Sequence, residues 1–305
     1  MKCKLFFTWK GLLLWSNHFY GICGALLAIE SSLIIKQTLP SLNLILFIYA
    51  AIVFYYTLAY LNEQAQGLYN ERTQWYANAK TYLLIRQFIL AAFLVYLAVA
   101  PLGLMQQFIE LEIQDRIFIL ITLLITALYY IPSQYFLKSF QIRSVGFIKS
   151  ISIAWVWTLV CCWLPLVIEN HSLPLFHLSN PTHYIYLLQQ FIFILMLTIL
   201  FDIKDINRDV DEFVKTVVVK YGARTTIFRI IIPLLITYIW LGLYVFFRAH
   251  QLFLFIIFPF FIAFALIKVI YMIPKRKKIH ENVILIDGLI IIKTILGISL
   301  AFLYH

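Results

Sequence analysis

The segment Phe201-Asp-Ile-Lys-Asp-Ile-Asn-Arg-Asp-Val-Asp-Glu-Phe-Val-Lys-Thr216 closes one long apolar stretch and precedes the next. Five of the chain's 14 acidic residues fall inside it: Asp202, Asp205, Asp209, Asp211 and Glu212. Asp202, Asp205 and Asp209 stand at i, i+3 and i+7, so a helix would set all three carboxylates on one face. Lys204, Arg208, Lys215, Lys220 and Arg224 surround them.

Outward from this window the chain is apolar almost throughout. It is 63% hydrophobic, 17% aromatic and 12% charged, with a mean hydropathy of +0.90. That charged fraction is about half the usual share of a soluble domain. Nine segments reach membrane-spanning length, at 11–35, 42–61, 82–105, 116–137, 146–168, 183–201, 225–247, 251–273 and 283–303. With short links and no change of composition, residues 1–305 are expected to form a single all-α domain. The expected architecture is a polytopic membrane protein built as one bundle of nine transmembrane helices. The basic start is followed by an apolar run too long for a signal peptide, which is expected to be the first span.

The formal net charge of +10 invites a nucleic-acid reading, but its distribution excludes one. With the N-terminus placed in the cytoplasm, 17 Lys and Arg residues lie on inner links. Only Lys36, Arg116 and Arg248 lie on outer ones. This is the positive-inside bias, and the Pro274-Lys-Arg-Lys-Lys278 run serves it as an anchor beside anionic lipid. The lipid bilayer is the expected partner, and the expected location is a cell membrane, in bacteria the inner one. The four cysteines lack disulfide or metal-ligand spacing, and the seven histidines form no pair at helical spacing.

Carboxylates interleaved with cations at the mouth of a membrane bundle suit a magnesium-diphosphate ligand. Mg²⁺ prefers hard oxygen ligands and is commonly shared between protein carboxylates and substrate phosphates. After the second span, Glu63, Gln66 and Asn70 repeat the i, i+3, i+7 spacing with mostly amide chemistry. Beyond the fourth span, Tyr130 and Lys138 stand eight apart. Glu30 and Asp287 carry charge into spans, where it marks pairing or function. Glu30 lies near the outer end of the first span. Asp287 either faces the acidic window or pairs with Lys293 or another cation.

The chain resembles the UbiA-type intramembrane prenyltransferases. The family pattern D-I-x-D-x-x-x-D-x-x-x-G-x-x-T-x-x-x-x-x-G finds Asp202, Ile203, Asp205, Asp209, Thr216 and Gly222 here, with Phe213 in place of a glycine. A second family pattern, N-D-x-x-D-x-x-x-D, is similar to Asn62-Glu63-x-x-Gln66-x-x-x-Asn70, with two carboxylates lost. The resemblance implies Mg²⁺-dependent transfer of a polyprenyl group from a prenyl diphosphate to a lipophilic, aromatic-type acceptor. It implies metal ligation by Asp202, Asp205 and Asp209, and catalytic roles for these three and Glu63. Asn62, Gln66, Asn70, Arg72, Tyr130, Lys138, Lys204 and Arg208 are the implied substrate-binding residues, and Asp202 is a possible base. Glu71 could stand in for a lost carboxylate. A homologue that binds isoprenoid or quinone lipids without transfer is the main alternative. A transporter is a weaker one, since no inverted repeat is visible.

Overall fold

A computed structural model describes residues 8–63, 71–99, 104–129, 146–168, 181–211, 216–249, 254–273 and 278–304. Among them every regular element is helical. A π-helical turn, Lys10–Trp15, leads into α1 (His18–Lys36), α2 (Leu42–Glu63), α3 (Glu71–Val99), α4 (Leu104–Glu110) and α5 (Ile113–Tyr129). α6 (Gly146–Trp157) runs through a π-helical turn, Thr158–Trp163, into α7 (Leu164–Ile168). There follow α8 (Pro181–Lys204), α9 (Ile206–Asp211), α10 (Val217–Tyr221), α11 (Ala223–Thr226) and a third π-turn, Ile227–Ile231. α12 (Ile232–Ala249), α13 (Leu254–Met272) and α14 (Ile279–Tyr304) complete the order.

The protein is an all-α polytopic membrane protein. Seven helical segments among the described residues are long and apolar enough to cross a bilayer, and Ile256–Met272 is a shorter apolar helix. The expected count of nine is not reached among them. The expected fourth span, 116–137, corresponds to the 17-residue α5, and residues 130–137 lie outside the described part. The third span starts earlier than its hydropathy suggests, because the polar turn at Glu71–Lys80 is already helical in the 29-residue α3.

The first span is interrupted at the polar triplet Ser16-Asn17-His18, inside the run expected to form one helix. Asn17 takes φ of 64°, a left-handed conformation that Asn adopts more readily than most residues. Its buried amide donates to Tyr76 Oη at 2.7 Å and Thr57 Oγ1 at 3.0 Å. Arg86 donates to the same Thr57 hydroxyl at 2.7 Å. One polar knot thus joins the start of α1 to α2 and α3 inside the bundle.

The helices close on themselves. α1 packs on α2, α2 on α3 and α3 on α4. After α5, α6 follows on α5, α8 on α6, α12 on α8, α13 on α12, α14 on α13, and α14 returns to α1. Contacts of α1 with the Thr158–Trp163 turn, and of α14 with α8, brace the interior. Large apolar side chains such as Phe88, Trp240 and Phe264 remain exposed on the outside. Lipid chains solvate such a surface at no cost, which water would not.

The α14–α1 closure contains a buried charge pair. Lys293 Nζ donates to Glu30 Oε2, and neither residue is solvent-exposed. The ammonium also lies 5.5 Å from the Phe193 ring of α8, a cation–π contact. Gly297 leaves room for the carboxylate, since a Cβ there would overlap Glu30 Oε1. Glu30 therefore turns inward rather than reaching the outer interface.

Breaking such a pair strands one charge in a low-dielectric interior, at a cost of about 3–5 kcal/mol. Lys293→Met is accordingly expected to lower the thermal unfolding temperature in detergent strongly, and Glu30→Leu added to Lys293→Met to recover much of the loss. A double variant no better than the single one would show that the pair does not hold the closure.

Candidate active site

α2 ends, α3 begins, α6 begins, α8 ends and α14 begins at the same end of the bundle. Contacts show it directly. Arg72, on the first turn of α3, lies 3.8 Å over the ring of Tyr60 near the end of α2. Glu71 Oε2 lies 3.7 Å from His280 Nδ1 at the start of α14. Lys149 on α6 meets Asp202 on α8.

A cavity of about 670 Å³ runs inward from this end, within the usual range for a ligand pocket. Six charged side chains line it: Arg72, Lys149, Lys204, Asp202, Asp205 and Asp287. Its depth is apolar and aromatic, with walls from α1 to α8 and from α14. Tyr20 and Tyr56 stack at 4.7 Å between ring centroids. Tyr60 and Trp157 approach Tyr56 at 6.4 and 6.2 Å, and Trp157 Nε1 donates to Tyr56 Oη at 2.9 Å. The π-helical turn Thr158–Trp163 adds Leu159, Val160, Cys161 and Trp163 to the wall. Such turns often mark functional sites.

From 201 to 211 the acidic window forms a nearly continuous helical stripe. Within that range the chain departs from helix only at Asp205, and the ladder carries through it. Asp205 N donates to Phe201 O and Asp209 N to Asp205 O, both at 2.9 Å. Asp202 and Asp209 consequently reach the same partner. Lys149 Nζ lies 2.8 Å from Asp202 Oδ1 and 3.8 Å from Asp209 Oδ2. Ser150 Oγ donates to Asp202 Oδ2 at 2.8 Å, so protein donors engage both Asp202 oxygens. Asp205 is more exposed and pairs with Lys204 at 3.3 Å.

Among the described residues no three Asp, Glu, His or Cys side chains stand close enough together to hold a metal ion. Asp202 and Asp209 converge on an ammonium, and Asp205 turns to Lys204. As arranged, the stripe does not fit a metal.

Asp287 lines the same cavity as Asp202, Lys204 and Asp205. Its side chain is buried, and Oδ2 has no hydrogen-bond partner among the described residues. Lys293, the other partner open to it from sequence, is taken by Glu30. Of the remaining expected site residues, Arg72 and Lys204 line the cavity. Glu71 does not, and is turned to His280. Asn62 and Glu63 end α2, but their side chains lie outside the described part, as does that of Arg208 in α9. Gln66, Asn70, Tyr130 and Lys138 lie outside the described residues altogether.

Sequence reasoning did not single out Lys149 or Ser150 for the site. Lys149 counted only as an inner-link cation, and its i, i+1 neighbour is an ordinary serine. The signal was a lysine at the edge of an apolar span, opposite an acidic stripe whose pairing depends on packing.

Two positions of the acidic pattern shape the backbone. Thr216 is buried and caps α10, its Oγ1 accepting from Val219 N at 3.2 Å. Gly222 has φ of 79° and ψ of 154° between α10 and α11, a region essentially reserved for glycine.

The structural likeness agrees with this architecture. The chain superposes on a UbiA homolog from Archaeoglobus fulgidus, bound to DMAPP and Mg²⁺, with a TM-score of 0.60 at 14% identity, over 95% of this chain and 97% of that one. Digeranylgeranylglyceryl phosphate synthase gives a TM-score of 0.54 at 14% identity, over 99% and 98%. No protein-family model matches the sequence, and no curated protein matches it. The fold is that of the UbiA-type prenyltransferases.

Gly222→Ala is expected to destabilise the protein by about 1–3 kcal/mol through backbone strain alone, because no atom lies within 4 Å of the added methyl group. An unchanged melting temperature would contradict the strain assignment.

Proposed function

We propose that this protein is an intramembrane prenyltransferase, moving a polyprenyl group from a prenyl diphosphate to a lipophilic acceptor. The observation that carries the reading is one cavity with a charged mouth and an apolar, aromatic depth, on a fold shared with two prenyltransferase-type structures. The charged end takes the diphosphate, the apolar walls take the isoprenoid chain, and the charged end faces the cytoplasm. The unit is the whole chain, 1–305.

The chemistry follows from the placement. The donor's C–O bond breaks, and diphosphate leaves with the bonding electrons. Lys149, Lys204 and Arg72 neutralise the charge that develops on it. The ring faces of Tyr56, Tyr60 and Trp157 stabilise the allylic cation, and the apolar walls keep water from it. A nucleophilic carbon or oxygen of the acceptor forms the new bond and loses a proton. Asp202 is occupied by Lys149 and Ser150, so Asp287, which lines the cavity with Oδ2 unpartnered among the described residues, is the better proton acceptor. The aromatic cluster beside it suits a flat aromatic acceptor.

Membranes carrying the protein are expected to yield a labelled prenylated lipid from radiolabelled prenyl diphosphate and mixed aromatic acceptors. Lys204→Met and Asp287→Asn should each cut that product by about 100-fold or more, comparable to the loss of one preorganised electrostatic group. Thin-layer separation of extracted lipids reads the outcome. Isoprenoid affinity without product from any donor and acceptor pair would establish the binding-only alternative.

A further inference from the structure

We propose that Lys149 is a built-in cation of this site. Its ammonium, held between Asp202 and Asp209, occupies the place a divalent ion would take and binds the donor's diphosphate directly. Donor binding then does not require Mg²⁺. This rests on the prenyl-diphosphate reading above and specifies how that reading works in this chain.

The first support is occupancy. Lys149 Nζ is 2.8 Å from Asp202 Oδ1 and 3.8 Å from Asp209 Oδ2, and Ser150 takes the other Asp202 oxygen at 2.8 Å. Mg²⁺ binds oxygen at about 2.0–2.1 Å and demands near-octahedral geometry. A metal at that distance from Asp202 Oδ1 would have to share the carboxylate with an ammonium already at contact. Two cations so close repel strongly in a low-dielectric cavity.

The second support is charge balance. Among the described residues, four carboxylates (Asp202, Asp205, Asp209 and Asp287) meet three cations (Arg72, Lys149 and Lys204) at the site, a surplus of one negative charge, short of the two that a divalent ion would neutralise. The sequence removes more negative charge nearby, with Gln66 and Asn70 standing where the resembled pattern has carboxylates. A divalent ion needs surplus negative charge to be held in the absence of substrate. A diphosphate needs the opposite, and the three cations meet that need.

The third support is access. Lys149 lies on the first turn of α6 and contributes to the cavity wall. An ammonium carries three donors, so it can serve a carboxylate and a ligand oxygen together. The carboxylates then position the lysine, and the lysine positions the phosphate.

The test uses the purified full chain in detergent and geranyl S-thiolodiphosphate, an analogue whose C–S bond stays intact. Calorimetry in EDTA and in Mg²⁺ is expected to give affinities within about threefold of each other. Lys149→Met should weaken binding in EDTA by about tenfold or more, which is about 1.4 kcal/mol, and Lys149→Arg should retain most of it. In the absence of analogue, Mn²⁺ titration followed by electron paramagnetic resonance should show little bound metal in the wild type and more in Lys149→Met. Analogue binding that demands Mg²⁺ in the wild type, or that Lys149→Met leaves unchanged, overturns the built-in cation and leaves the prenyl-diphosphate reading standing. Absence of binding in both EDTA and Mg²⁺ overturns the prenyl-diphosphate reading and the built-in cation with it. If Lys149→Met does not fold, the wild-type comparison of EDTA with Mg²⁺ decides by itself.

Discussion

A charge inside a bilayer must be met by another group of the protein, because no water is available to solvate it. The Glu30–Lys293 pair is the clearest case, fully buried where the last helix closes on the first. Its geometry requires α1, α8 and α14 to meet at one level. Phe193 covers the ammonium from α8, and Gly297 on α14 makes room for the carboxylate. A pair of this kind gives little net stability over well-packed apolar residues, yet either charge left alone is costly. It therefore penalises arrangements in which α14 does not close on α1, and closure is what encloses the cavity.

The same constraint organises the site. Asn17, Thr57, Tyr76 and Arg86 hydrogen-bond to one another across α1, α2 and α3. Lys149, Ser150 and Asp202 do so across α6 and α8. These clusters fix the walls on either side of the aromatic depth. Asp287 differs because it lines the cavity with no ion pair among the described residues, and its buried Oδ2 has no hydrogen-bond partner there. An unpaired acceptor in a cavity is expensive for the empty protein and useful to a ligand that brings a donor. That contrast separates charges that hold the bundle together from one available for chemistry.

Much of the architecture was legible from hydropathy. Apolar runs of span length, the basic bias of one set of links and the carboxylate spacing at Asp202, Asp205 and Asp209 pointed to a helical membrane bundle with a polar site at one end. Local sequence also explains Thr216 as a helix cap and Gly222 as a turn residue once their dihedrals are known. The i, i+7 relation between Asp202 and Asp209 is local too, and both side chains reach one lysine because the helical ladder continues through Asp205.

Pairing across helices was not legible. Sequence placed Glu30 near an interface and left Asp287 a choice of cavity or Lys293, because partners 263 positions apart carry no local signal. Only the packed ring gives Lys293 to Glu30 and leaves Asp287 in the cavity. The break at Asn17 was hidden for a similar reason, since the amide's partners lie 40 and 59 residues away. Hydropathy and residue spacing alone establish a helical membrane protein with a charged window at one end. The tertiary structure decided which charges are spent on holding helices together and which face the cavity, because helix packing brings distant residues within reach in an interior with no water to compete.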